Sequence, residues 1–207
     1  MDTEAERDPL PAAVTGRSAS RIGKILRWLG IAIVGVVVLA VVVAFLLPRH
    51  AMVTRSVEIT APPSVIYPIV SDLRRFNEWS PWAEIDPETI YTFTGPIDGV
   101  GQRLNWESRD ERVGSGSMAI AAIEPETQVD MSIDFGAQGT ALASLVLEPA
   151  GAGSKVTWGF DSDLGFNPIA RYFGMMMDGM IGPDYEKGLA RLKTVAETPP
   201  PAPVADE

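Results

Sequence analysis

The chain is 207 residues long, with 17 Lys and Arg against 27 Asp and Glu, one His, no Cys and a formal net charge of −10. That length holds one domain of ordinary size plus an appendage, and the acidic balance argues against a nucleic-acid partner, which requires Lys and Arg to displace phosphate counterions. The missing Cys exclude thiolate zinc sites, iron–sulfur clusters, disulfides and cysteine nucleophiles, and a single His excludes multi-His metal centres.

Residues 1–27 read as a cytoplasmic tail. Its first part, 1–16, shows no hydrophobic periodicity and reads as disordered, and Arg17, Arg21, Lys24 and Arg27 then form a basic juxtamembrane segment. From Trp28 to Leu47 the chain reads WLGIAIVGVVVLAVVVAFLL, 20 residues without a charge or a strongly polar side chain. As a helix this run is about 30 Å long, the hydrocarbon thickness of a bilayer. A soluble core helix is rarely apolar on every face for so long. Gly30 and Gly35 do not make a GxxxG pair, so no dimerisation face is implied and the oligomeric state stays open.

Four basic residues precede the span and only Arg49 and Arg55 follow it closely. The positive-inside rule then predicts a single-pass protein of the cell's inner membrane, with a cytoplasmic N-terminus and an extracytoplasmic domain. A cleaved signal peptide is the rival reading. Its apolar core normally runs about 7–15 residues and ends in small residues, whereas here the exit is Leu-Pro-Arg-His-Ala-Met. The connection from Leu47 to Val53 reaches roughly 20 Å at most, so the domain would work close to the membrane. His50 sits in that connection and is a poor catalytic candidate.

A domain over 52–197 follows, closed by a Pro-rich tail over 198–207 that reads as disordered. Residues 49–207 carry 12 basic and 23 acidic residues, so the domain itself is acidic. Val53, Val57 and Ile59 share one face of a first strand. Ile66, Ile69, Val70 and Leu73 have helical spacing, started by Pro63 and Ser64. A short aromatic segment, Phe76 to Trp82, lacks strand alternation. Six strands follow, with inward pairs Tyr91/Phe93 and Leu104/Trp106, then Met118/Ile120/Ala122, then Val129/Met131/Ile133/Phe135, Leu145/Leu147 and Val156/Trp158/Phe160. Turn signals at Gly95–Gly101, Gly114–Gly116 and Gly151–Gly153 separate several of them. This pattern predicts an antiparallel sheet with one dry face. The last segment, Pro168 to Ala196, supplies a cover: Ile169, Phe173, Met176, Met180, Ile181, Tyr185, Leu189 and Leu192 are assigned to one stripe, with a kink or restart at Gly182-Pro183.

Specific residues carry a resemblance on top of that order. Ser56-Val57-Glu58-Ile59-Thr60-Ala61-Pro62 enters the first domain helix and Val70-Ser71-Asp72 ends it. Trp79-Ser80-Pro81-Trp82, Gly95-Pro96…Gly99-Val100-Gly101…Trp106, Val156-Thr157-Trp158 and Tyr185 through Lys193 follow in order. Over nearly all of 53–195 the chain resembles the START-like, helix-grip superfamily, and within it a membrane-anchored bacterial subgroup labelled polyketide cyclase/dehydrase-like. The resemblance implies an α+β fold in which a curved antiparallel sheet wraps a long C-terminal helix, here preceded by one transmembrane helix. It also implies an apolar cavity between sheet and helix for a lipid, sterol, polyketide or other hydrophobic small molecule.

The tryptophans of the domain serve either as core or as cavity lining, and strand phase favours Trp106 and Trp158 for the cavity. The cluster Met175, Met176, Met177 and Met180 is either core filler or an adaptable ligand surface. The expected cavity residues are Tyr91, Leu104, Trp106, Met131, Phe135, Trp158, Phe173, Met176 and Met180. No catalytic residue, metal site or cofactor is assigned. Asp161 to Asn167 lacks the Gly and terminal acid of a calcium loop, and Asn167 or Asp163 reads instead as a residue near a helix start. Glu84 and Asp86 read as solvated turn carboxylates, and Arg103, Asn105 and Glu107 as outward residues. Arg171 is a candidate to cap polar groups near the cavity mouth. A hydrophobic-ligand binding module is the first functional expectation. A polyketide cyclase or dehydratase-like enzyme, with Tyr67 and Tyr91 as the inward hydroxyls, or an envelope interaction domain with a filled core, are the alternatives.

Overall fold

The computed structural model describes residues 18–198, with side chains from residue 23 onward. The expected tail segments 1–16 and 199–207 lie outside the described residues. The chain divides into two units, one ending at Val43 and one beginning at Ala44.

The first unit is the body of helix α1, Ser18–Leu46. Its helical register begins upstream of the apolar run and takes in Lys24 and Arg27. Gly23–Leu46 is, among the described residues, the one helix long and apolar enough to cross a membrane. Its large apolar side chains, Trp28, Leu29 and Val36 among them, are exposed.

The second unit holds a seven-stranded antiparallel sheet in the order β1-β7-β6-β5-β4-β3-β2. The strands are β1 His50–Ile59, β2 Ile90–Thr94, β3 Arg103–Glu107, β4 Ser115–Glu124, β5 Gln128–Asp134, β6 Thr140–Ala150 and β7 Gly153–Asp163. Strand β1 starts at His50, so the connection from α1 is only Leu47-Pro48-Arg49, shorter than the sequence implies, and His50 is a strand residue opposite Asp163. Inward residues follow the expected alternation on β1, β5, β6 and β7, where Val53, Val129, Met131, Leu145, Leu147, Val156 and Trp158 are buried. Strand β4 departs from it. A register shift between Ile120 and Ala122 inserts one unpaired residue, so Met118, Ala119 and Ile120 are all buried, Ala122 faces out and Ile123 turns in. Such a bulge bends the strand and increases its twist, which curves the sheet.

Helix α2, Pro63–Val70, and the short α3, Phe76–Trp79, connect β1 to β2 across the inner face. After β7 the expected single helix is two: α4, Pro168–Gly174, and α5, Met177–Glu197. The break falls at Gly174–Met176, and α5 continues through Pro183, so of the expected kink or restart at Gly182-Pro183 the restart does not occur. Gly182 explains part of this, because a Cβ on it would stand 2.1 Å from Arg55 Nη2. The bare backbone lets Arg55 pass beneath the helix, where it donates to Asp178 on one side of Pro183 (2.8 Å) and Glu186 on the other (2.8 Å). The proline's missing hydrogen bond is thus bridged by two ion pairs from β1.

The buried stripe of α5 is Tyr185, Leu189, Leu192 and Ala196. At about 100° per residue, Met180 lies roughly 140° around the helix from Tyr185, so the two cannot share a face. Accordingly Ile169, Phe173, Met176 and Met180 are exposed, and the single covering stripe expected from the sequence is corrected to its second half alone.

Candidate functional site

The inner face has a closed part and a more open part. The closed part is aromatic. Ser80 Oγ caps the turn Pro81–Glu84 by accepting from Trp82 N, and Arg191 of α5 donates to the Ser80 carbonyl (2.7 Å) while pairing with Glu84. These contacts hold Trp79 and Trp82 against α5. Tyr185 stacks on Trp158 with ring centres 3.8 Å apart, Trp79 meets Trp158 edge-on at 5.0 Å, and Trp82 meets the same pair edge-on at 6.0 and 6.4 Å. Such stacked and edge-on pairs add to the stabilisation that burial of their area supplies. Burial raises the Tyr185 hydroxyl above the ordinary phenol range, because the charged phenolate would lose its water. The indole N–H groups of Trp79 and Trp158 are buried with no acceptor among the described residues. Two unpaired donors in one apolar cluster are uncommon, since such groups are usually satisfied.

The more open part lies towards β2 and β3. Tyr91 is opposite Trp106 in register, and Phe93 is opposite Leu104. Leu104 and Met131 are fully buried and form a floor. Above it Tyr91, Phe93, Trp106, Ile133 and Phe135 are only partly buried. Trp106 is fixed on three sides. Its Nε1 donates to the Val113 carbonyl (3.3 Å), its ring meets Phe135 edge-on at 6.1 Å, and it lies over Gly116, where a Cβ would come within 2.5 Å of the indole. Desolvation raises the Tyr91 hydroxyl as well.

The expected residues therefore separate into three groups. Tyr91, Leu104, Trp106, Met131 and Phe135 come together on this surface. Trp158 sits in the closed cluster. Phe173, Met176 and Met180 are on the outside of the domain and do not join either. Two grooves, of about 510 and 350 Å³, are lined mainly by outward sheet positions such as His50, Ser132 and Asp161 in one and Thr92, Asn105 and Glu107 in the other, and each touches one residue of this surface, Ile133 and Trp106 respectively.

The polar candidates have structural partners. Asp86 accepts from Ser108 Oγ and the Glu88 backbone N–H, and those hydrogen bonds hold its pKa below the ordinary carboxylate range. Asp163 is held low in the same way by a two-pronged bond to Arg49 (2.8 and 2.6 Å). His50 Nδ1 meets Asp161 at 2.8 Å. Asn167 caps α4 through Ile169 N and Ala170 N, as its position before the helix implies. Arg171 caps polar groups too, but those at the end of α1. Sequence reasoning missed Gln102, whose amide joins Asp72, Leu73 and Ile97, and it gave Arg55 no role beyond its charge.

A family profile described as polyketide cyclase / dehydrase and lipid transport matches residues 50–197, the whole sheet with its helices. The chain belongs to this family. No curated protein matches it. Among solved structures, KanY is similar with a TM-score of 0.52 and 18% identity, covering 71% of this chain and 97% of KanY. DynU16, from the dynemicin biosynthetic locus, gives 0.52 and 17% identity, covering 72% of this chain and 48% of DynU16. An uncharacterised protein of Rhizobium leguminosarum gives 0.50 and 16% identity over 72% of this chain and 95% of that one. At these identities the likeness is one of fold, the curved antiparallel sheet with a long C-terminal helix.

Proposed function

We propose that this member of the polyketide cyclase / dehydrase and lipid transport family is a membrane-tethered binding module for a hydrophobic, oxygen-bearing small molecule, lipid-like or polyketide-like. The observation that carries the reading is the partly buried apolar surface of Tyr91, Phe93, Trp106, Ile133 and Phe135 over a closed floor. A ligand covering it gains about 25 cal/mol per Å² of apolar area taken from water. A ligand arriving from lipid gains far less, because lipid tails are already apolar, so exchange with a bilayer is reversible. The two unpaired indole N–H groups of the neighbouring cluster offer donors to an oxygen that reaches them.

Helix α1 supplies the tether. The excess of Lys and Arg before the apolar run supports a cytoplasmic N-terminus and a domain on the outer side of the inner membrane. The three-residue connection starts β1 directly after the apolar run, which supports work close to the bilayer.

The test is native mass spectrometry of the full-length protein released from nanodiscs, with fatty acids and quinones as added ligands. Bound apolar adducts are expected, and Trp106→Ala should weaken uptake by about tenfold, since it removes the largest side chain of the surface. A clean apo mass with no uptake rejects the binding reading and favours an interaction domain with a filled core. A periplasmic reporter fused after Glu207 should be active; activity only of a cytoplasmic reporter reverses the orientation.

A further inference from the structure

The last turn of α1 is tied to a segment that is itself apolar on its outer side. Arg171 of α4 is only 7% exposed. Its Nη1 donates to the carbonyls of Phe45 (3.2 Å), Leu47 (3.3 Å) and Ala44 (3.5 Å), while Nε and Nη2 donate to the Gly165 carbonyl (3.1 and 2.8 Å). The last carbonyls of a helix have no partners within it and carry the negative end of the helix dipole, so a guanidinium is a fitting cap. Its Cζ also lies 5.3 Å from the centre of the Phe45 ring. The junction continues through the Arg49–Asp163 pair, the Leu164 N–H donated to the Arg49 carbonyl (2.9 Å) and Arg49 over the Phe166 ring (5.8 Å). Residues 44–49 and 163–171 are thus one packed piece of the second unit.

Around this piece the surface is apolar. Phe166 is 76% exposed, Ile169 67%, Phe173 58%, Met176 59% and Met180 60%. Ile169 and Phe173 share one side of α4, and the exposed Met176 and Met180 follow at the start of α5, beyond the break. Ile169 and Phe173 stand two residues either side of Arg171, so they project from the face of α4 opposite the cap. Of the ionised groups on the same segments, Arg171 is engaged by backbone carbonyls and Asp178 by Arg55. Asp163, just before Phe166, is engaged by Arg49.

We propose that this face, Phe166, Ile169, Phe173, Met176 and Met180, is a membrane-docking surface that inserts into the interfacial layer of the bilayer crossed by α1. It rests on the reading of α1 as a membrane span. The cap is the reason: it holds α4 against Ala44–Leu47, the last apolar turn, so the outer side chains of α4 lie beside the membrane exit. Large apolar side chains exposed together on a soluble surface mark an interaction site, and apolar helix residues beside the membrane exit match interfacial helices. A protein partner would have to reach it through the headgroup layer.

The chain has no Cys, so single cysteines can be placed at Val36 in α1, Ile169 in the patch and Ala152 in the β6–β7 turn, and labelled with an environment-sensitive fluorophore. Ala152 follows the level of Ile59 at the far end of β1, about 30 Å along the strand from His50. The full-length protein is reconstituted in phosphatidylethanolamine/phosphatidylglycerol vesicles containing a spin-labelled quencher lipid. The Val36 and Ile169 probes should each lose about half or more of their emission, and the Ala152 probe almost none. Phe166→Ser with Phe173→Ser should reduce quenching at Ile169 at least about twofold and leave Val36 unchanged. Val36 quenched with Ile169 unquenched overturns the docking and leaves the anchor standing. Neither probe quenched removes the anchor and the docking together. An Ile169 probe shielded from aqueous iodide in proportion to protein density, but not quenched by lipid, assigns the face to a second copy and also overturns the proposal.

Discussion

Gln102 is completely buried and uses its whole amide: Nε2 donates to Asp72 (2.8 Å) and to the Ile97 carbonyl (2.7 Å), and Oε1 accepts from Leu73 N (2.8 Å). It thereby joins the end of α2 to the glycine-rich turn before β3. Gln102→Leu keeps the bulk but strands the buried Leu73 N–H, and should cost about 2 kcal/mol. A urea midpoint equal to the parent's would contradict this role. Nothing in the sequence marks Gln102, because its partners lie 5 to 30 positions away and a glutamine in a strand pattern reads as an outward residue. The same holds for Arg171, whose acceptors at 44–47 are more than 120 positions distant. Tyr91 and Trp106 were legible, because strand alternation alone turns both side chains to the dry face.

At the scale of elements, strands were easier to read than helices. A strand has two faces, so a period-two pattern names the buried one, and only the β4 bulge shifts the phase. A helix presents a continuum of directions, and the apolar residues of 168–196 cover more than one of them. Met180 and Ile181 are adjacent yet about 100° apart, and only the second points towards the core. The clasp of Arg55 on Asp178 and Glu186 belongs to this scale, since it holds the first half of α5 on β1 across Pro183. The two carboxylates in turn raise the pKa of Arg55, chiefly through the hydrogen bonds it donates to Asp178. Arg55→Ala should free that half, raising amide exchange over 178–186 by roughly threefold to tenfold while 189–196 stays protected. Equal protection throughout would show that packing alone holds the helix.

For the whole molecule, the acidic balance sets the response to pH. Asp86, Asp163, Asp178 and Glu197 have depressed pKa values in the folded state, each chiefly through a hydrogen bond to the carboxylate, and Asp110, bonded to Arg112, is lowered to about 2. A carboxylate with a lower pKa in the folded state than in the unfolded one stabilises the fold above the unfolded value, about 4, and that stability drains away as pH falls towards the folded value. Burial of Tyr185 acts at the other end, because its raised pKa means stability is lost only as pH climbs above about 10. Denaturant midpoints should therefore be level from about pH 5 to 9 and fall steeply below about pH 4. A midpoint that changes between pH 6 and 8 would refute this. What the sequence determined by itself is what repeats locally: an apolar run of bilayer length, the order of seven strands and their helices, the dry face of the sheet and, through motif order, the family. The tertiary structure alone decided which helix face is buried, that Trp158 closes a core while Trp106 stays half open, and where Arg55, Gln102 and Arg171 find partners. Periodicity states an angle about one element's axis, whereas partnership depends on which distant element the fold brings to that angle.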